Sequence, residues 1–203
     1  MRKSTIAWLV FIISFFMIWG IFLTIIYIEF GSKYELKDDF VISNDYRNTG
    51  EERLVGRSDD GWSKYYRVKG LSVEEWIIKD EVNWVGLNRS KKLYKKESAN
   101  PIMNCEVESI SFMGLGSNKK LENIIKDEYI TDKLVISSFL SDVRSSYVKY
   151  NENFKYTGVD AEFKFANIDL IWEANIYKDK KGDFYLSDSN GYYPLRNMRV
   201  KDE

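Results

Sequence analysis

The residues best suited to chemistry are three acid pairs, Asp59/Asp60, Glu74/Glu75 and Asp80/Glu81. Two carboxylates, one protonated and one ionised, are the machinery of glycoside hydrolysis. That machinery sets its acids across a cleft, from separate elements, and neighbours in a turn do not meet this geometry. Charged residues make up 30% of the chain, so adjacent acids arise without a task and read as solvated faces. The chain has no histidine and one cysteine, Cys105. This excludes Ser-His-Asp and Cys-His triads, an imidazole base and His-ligated zinc. It equally excludes Cys₄ zinc, iron–sulfur ligation and an intrachain disulfide.

Two further motifs are weighed against their plain readings. Ser32-Lys33 offers a serine–lysine dyad, the histidine-free device of bacterial signal peptidases. The Met-x-Pro that follows the serine in that family is absent from "GSKYELKDD", so Ser32 reads as a linker residue. "DSNG" at 188–191 copies half of a calcium loop, but Arg199 stands near the position of the closing glutamate, and a hairpin turn is the simpler reading. No catalytic, cofactor-binding or metal-ligating residue is assigned, and no cofactor is expected.

Binding is better represented than catalysis. Aromatic residues make up 16% of the chain. In Tyr65-Tyr66 and Tyr192-Tyr193, successive rings on a strand point to opposite faces, so one ring of each pair is expected outside, as a surface for recognition. "KGDFYLSDSNGYYP", and more weakly "DGWSKYYRVKG", resembles a single hairpin of the choline-binding repeats of Gram-positive surface proteins. The resemblance implies aromatic rings caging an ammonium group. It covers under a tenth of the chain, and no neighbouring repeat stands in register to complete a cage.

The elements that must position these groups begin with an apolar run. From Ser4 to Ile28 no side chain ionises. A helix of that length measures about 37 Å against a hydrocarbon core of about 30 Å. The run exceeds the apolar region of a signal peptide and ends at Glu29-Phe30 rather than at a small-x-small site. The expectation is an uncleaved transmembrane helix over 5–28 in contact with the lipid bilayer. Arg2 and Lys3 favour a cytoplasmic N-terminus (1–4), with the rest of the chain outside a bacterial cell membrane. Residues 29–50 then read as a juxtamembrane linker, 51–100 as a strand-rich subdomain and 101–203 as an α+β subdomain, with the boundary at Pro101.

Within the folded part, "KYYRVKG", "WIIKD", "VNWVGL" and "KKLYKKE" read as strands. Ser72 opens a turn ahead of Trp76. "ITDKLVISSFLSDVRSSYVKY" is the clearest helix, with Leu134, Val135, Phe139, Val143 and Tyr147 on one face and Thr131 or Asp132 as cap. Leu170, Trp172, Ala174 and Ile176 alternate, and "KKGD" and "SNG" turn the remainder into an antiparallel meander. The fold class expected is α+β, strand-rich, with one main amphipathic helix.

The 30 basic residues nearly balance the 31 acidic ones, which argues against a nucleic-acid partner. The function expected is non-catalytic binding of another envelope or membrane component, a protein partner above all. The alternatives are a cell-wall polymer module and, behind it, a carboxylate-dependent hydrolase.

Overall fold

The computed structural model describes residues 3–30, 32–50, 53–82, 89–145, 148–149 and 153–196; inside the first helix, side chains are described at 8 and 11–23. Helix α1 (Lys3–Phe30) is followed by six strands, β1 (Phe40–Ile42), β2 (Tyr46–Asn48), β3 (Arg53–Arg57), β4 (Lys64–Arg67), β5 (Trp76–Val82) and β6 (Arg89–Lys96). Then come α2 (Pro101–Asn104), β7 (Val107–Met113), α3 (Lys119–Ile124), β8 (Tyr129–Ile130) and α4 (Lys133–Ser145). The chain closes with β9 (Lys155–Phe165), β10 (Leu170–Lys178), β11 (Phe184–Ser187) and β12 (Tyr192–Pro194).

The architecture is α+β with two antiparallel sheets. The first has the order β1-β6-β5-β4-β3, and the second β12-β11-β10-β9-β7-β8. Strand β10 serves two neighbours on one edge: Leu170–Trp172 pair with β2, and Asn175–Lys178 pair with β11. Since β1 belongs to the first sheet and β2 to the second, residues 43–45 carry the chain between them. The stretch 29–50, expected as linker, therefore holds two strands of the fold.

Period-two alternation explains the second sheet. Val159, Ala161, Phe163 and Phe165 of β9 and Leu170, Trp172, Ala174 and Ile176 of β10 are buried on one face. Their register sets Phe163 opposite Trp172 and Ala161 opposite Ala174. Large and small pairs thus alternate along the ladder, as close packing requires. Trp76 and Ile78 of β5 join the same buried cluster from the first sheet, with Tyr46 between them and Phe165. Each fully buried side chain of this size contributes roughly 1.5–3 kcal/mol before chain entropy is subtracted. The other face of the first sheet holds a smaller cluster of Phe40, Tyr65 and Ile77 beside Tyr34 and Leu36.

The main helix is α4. Asp132 caps it, its carboxylate accepting the Leu134 and Val135 N–H groups at 2.8 and 3.3 Å. The buried face is Ile136, Phe139, Leu140 and Val143. The expected face was turned slightly too far: Leu134 is 82% exposed and Val135 is exposed too, because the first turn overhangs the core. Tyr147 lies outside the described residues, as does most of the strand expected in "VNWVGL". Arg144 fixes α4 to the end of α2, donating to the Ile102 and Cys105 carbonyls at 2.9 and 2.8 Å. The turn before β5 forms as expected, with Trp76 N–H donating to the Ser72 carbonyl at 2.9 Å. "KKGD" also turns as expected, Gly182 supplying a φ of +94° that side chains resist.

The transmembrane expectation is corrected. Among the described residues no helix is long and apolar enough to cross a membrane. The single-pass topology over 5–28, and the cell-membrane placement with an outside domain that followed from it, are withdrawn. The large apolar residues described in that run, from Phe11 to Leu23, are all exposed.

Candidate functional site

The sequence acids do not converge. Asp59 and Asp60 lie in the exposed turn between β3 and β4, where Asp59 pairs with Lys33 at 3.1 Å and Asp60 accepts the Trp62 N–H at 3.0 Å. Glu74 lies in the turn that precedes β5 and pairs with Lys37. Asp80 and Glu81 point to opposite faces of β5. Glu81 meets Lys79 at 2.6 Å and Lys92 at 3.5 Å, whereas Asp80 is buried. Lys33 is engaged by Asp59, and the Ser32 carbonyl accepts Arg57 N–H at 3.0 Å, so this pair is a strand-edge contact rather than a dyad. Cys105 is half-buried, and burial pushes its thiol up, away from the reactive thiolate.

The "DSNG" segment is the hairpin turn between β11 and β12. Asp188 caps it, accepting Asn190 N–H at 2.8 Å and Gly191 N–H at 3.2 Å. Asp45, from the link between the sheets, clasps the same turn: its carboxylate accepts the Ser189 N–H at 2.8 Å and the Ser189 hydroxyl. Burial pushes the Asp188 carboxyl up, and the Asp45 carboxylate adds repulsion, while hydrogen bonds from Asn190 and Gly191 pull it down. The Tyr193 hydroxyl donates to Asp188 at 3.2 Å. The calcium-like half-motif is thus consumed by turn and clasp.

The four candidate tyrosines are placed differently from the expectation that each pair exposes one ring. Tyr65, Tyr192 and Tyr193 are buried and Tyr66 is half-buried. Tyr65 packs on Tyr34 at 4.9 Å in the small cluster. Tyr66 faces the other way, under the Lys91 ammonium at 5.2 Å. Tyr193 belongs to the main core against Trp172. Tyr192 does point to the outer face, but another ring covers it: Phe154 stacks on Tyr192 at 4.2 Å and 12°, and meets Tyr185 edge-on at 4.7 Å.

That covering ring belongs to an aromatic site built across three strands. Tyr156 of β9, Tyr177 of β10 and Tyr185 of β11 stand in one cross-strand row, with Pro194 of β12 next in line. Tyr156 and Tyr177 approach to 5.7 Å, and Tyr177 meets Tyr192 edge-on at 5.2 Å. Carboxylates hold two of the hydroxyls: Tyr156 donates to Asp160 at 2.8 Å and Tyr185 to Asp179 at 3.3 Å. Desolvation and the bond to Asp160 push the Tyr156 phenol up to about 12, so it remains a neutral donor. At the end of the row a cleft of about 430 Å³ opens among Tyr185, Pro194, Arg196, Asp183 and Val148. Tyr156 remains 50% exposed at the opposite end.

Alternation through Ile171, Glu173, Asn175 and Tyr177 carried a signal for part of this row, since it puts Tyr177 on the outer face. Nothing in the local pattern announced Phe154. Where a hairpin cage would hold an ammonium between rings, Phe154 lies against both Tyr185 and Tyr192. Among the described residues no group of three or more Cys, Asp or Glu side chains is placed to hold a metal ion.

No family model matches the chain, and no curated protein and no solved structure matches it either.

Proposed function

We propose that the chain is a non-catalytic binding domain that recognises a protein partner through its outer aromatic row. The observation that carries this reading is the arrangement of Tyr156, Tyr177 and Tyr185 side by side across three strands, with Tyr156 bonded to Asp160, Tyr185 bonded to Asp179 and packed on Phe154, and Tyr177 packed on Tyr156 and Tyr192. Tyrosine offers a large apolar ring with a polar tip and has few torsions to freeze, which favours it at protein interfaces. Rings already fixed lose little entropy on association, so more of the contact energy appears as affinity. The adjoining cleft gives a partner side chain a place to insert. The dispersal of the acids over two separate turns and the two faces of β5 favours binding over hydrolysis.

The test is site-specific photo-crosslinking in the native cell, with the probe at position 156, at 177, or at the exposed control Lys126. One and the same protein captured at 156 and 177 but not at 126 supports the reading. A Tyr177→Ala change should then weaken that complex by about 1–2 kcal/mol, on the order of tenfold in Kd. Equal capture at all three positions, or retention of the chain on insoluble polysaccharide with no protein captured, would remove it.

A further inference from the structure

Lys155 of β9, Lys178 of β10 and Phe184 of β11 form the last cross-strand row on the inner face of the second sheet, with Lys155 opposite Lys178 and Lys178 opposite Phe184. Lys120 joins them from α3. We propose that these three lysines bind a phosphate group carrying two or more negative charges, as in pyrophosphate or a phosphate monoester. This goes beyond the partner surface. Each residue of the row adjoins one of the tyrosines in sequence, and neighbours in a strand point to opposite faces, so the tyrosines hold the outer face and the lysines the inner one.

Three observations converge. The first is like charge set against like charge. Cations directly opposite each other destabilise an antiparallel pair, yet the sequence places Lys155 against Lys178 and α3 brings a third ammonium. Lys120 Nζ and Lys178 Nζ lie 5.9 and 6.0 Å from the centre of the same Phe184 ring. The ring attracts each ammonium but carries no net charge to offset their mutual repulsion. The second is the lack of a counter-charge. Among the described residues no carboxylate forms an ion pair with Lys120, Lys155 or Lys178. Asp179, next to Lys178 in sequence, is engaged by its own turn: its carboxylate accepts the Lys181 and Asp183 N–H groups, each at 2.9 Å, and the Tyr185 hydroxyl at 3.3 Å. Lys180 and Lys181 are exposed in the same turn and add to the positive field.

The third is space. Gly182, at a φ of +94°, leaves a notch between the two side chains: a Cβ there would stand 3.5 Å from Lys120 Nζ and 3.6 Å from Lys178 Cε. An anion seated at the notch meets both lysines and relieves the repulsion between them. The chemistry of the cluster selects that anion. Lysine meets phosphate as a point charge with rotatable donors, whereas the planar fork of arginine is the match for a carboxylate. The cluster has three lysines and no arginine, and one carboxylate would leave most of its charge unmatched.

The test is calorimetric titration of the full chain with pyrophosphate, methyl phosphate and acetate at constant ionic strength. Pyrophosphate and methyl phosphate should bind saturably at one site, and acetate should not. Lys120→Gln and Lys178→Gln should each weaken pyrophosphate about tenfold, with far-UV circular dichroism unchanged, while Lys126→Gln, an exposed control, leaves the affinity as it was. Without ligand, Lys178→Gln should melt no lower than the parent chain, since it removes a repulsion. A clear fall in that Tm would overturn the premise of an unmatched row. Acetate binding as tight as pyrophosphate, an equal loss in Lys126→Gln, or binding untouched by both cluster variants would overturn the proposal. So would the absence of any binding up to about 10 mM, where a millimolar site would be mostly filled.

Discussion

Replacing Phe154 by alanine tests whether the aromatic row is held rigid. Phe154 makes two ring contacts, stacked on Tyr192 at 4.2 Å and edge-on to Tyr185 at 4.7 Å. Each such pair adds about 0.5–1.5 kcal/mol beyond area burial. A fully buried Phe→Ala change costs about 3–5 kcal/mol, and Phe154 is only half-buried, so about half of that applies. The two routes agree on about 2 kcal/mol. With a urea m-value of about 2–3 kcal/mol/M for a chain this size, the unfolding midpoint should fall by roughly 0.7–1 M. Phe154→Leu keeps much of the apolar contact and loses the ring geometry, so it should sit near the middle of that range. A double-mutant cycle with Tyr192→Leu should give a coupling of about 0.5–1.5 kcal/mol. If Phe154→Ala costs under about 0.5 kcal/mol, below the worth of even one ring pair, the row is not locked and the preorganisation argument fails.

Asp45→Ala should strip the Ser189 N–H of its partner and cost about 1–3 kcal/mol in urea melts, whereas Ser189→Ala, losing only the hydroxyl bond, should cost about 1 kcal/mol or less. Asp188 titrates above its ordinary value, so its protonated form is the better folded. Its contribution is present in full below the unfolded carboxylate value of about 4 and is lost as pH rises through the raised folded value. Asp188→Asn, keeping the turn-capping oxygen without the charge, should therefore raise Tm at neutral pH, and its advantage should vanish in acid; a constant difference across pH would show that charge is not the cause. On α4, Ile136→Ala should cost about 2–4 kcal/mol, and Leu134→Gln should stay within about 0.5 kcal/mol, read from chemical denaturation.

The second sheet was legible because its chemistry is local. Leu170 to Ile176 alternate without interruption, and Asn190-Gly191 and Gly182 mark the turns on either side of β11. The cap at Asp132 is equally local. The helix face came out shifted because spacing fixes which residues share a stripe, not where the first turn leaves the core, and Leu134 falls beyond that edge. Strands β1 and β2 escaped notice at three residues each, too short to show a period. The apolar run of α1 invited a spanning reading from its composition, and no spanning helix exists among the described residues.

The site was less legible than the fold. Alternation reports which face of a strand a side chain takes; it does not report what covers that face. Tyr192 takes the outer face, as the pattern allows, yet is 3% exposed because Phe154, from a different segment, lies on it. Asp80 is the reverse case. It follows Trp76 and Ile78 on the inner face of β5, where a carboxylate has no place in a continuous apolar layer. Its neighbours in register are Lys64 and Lys91, so charge enters that face on three strands at once. A break in the apolar alternation of one strand thus acquires its meaning from the residues paired with it, and that register becomes visible only once the strands are paired.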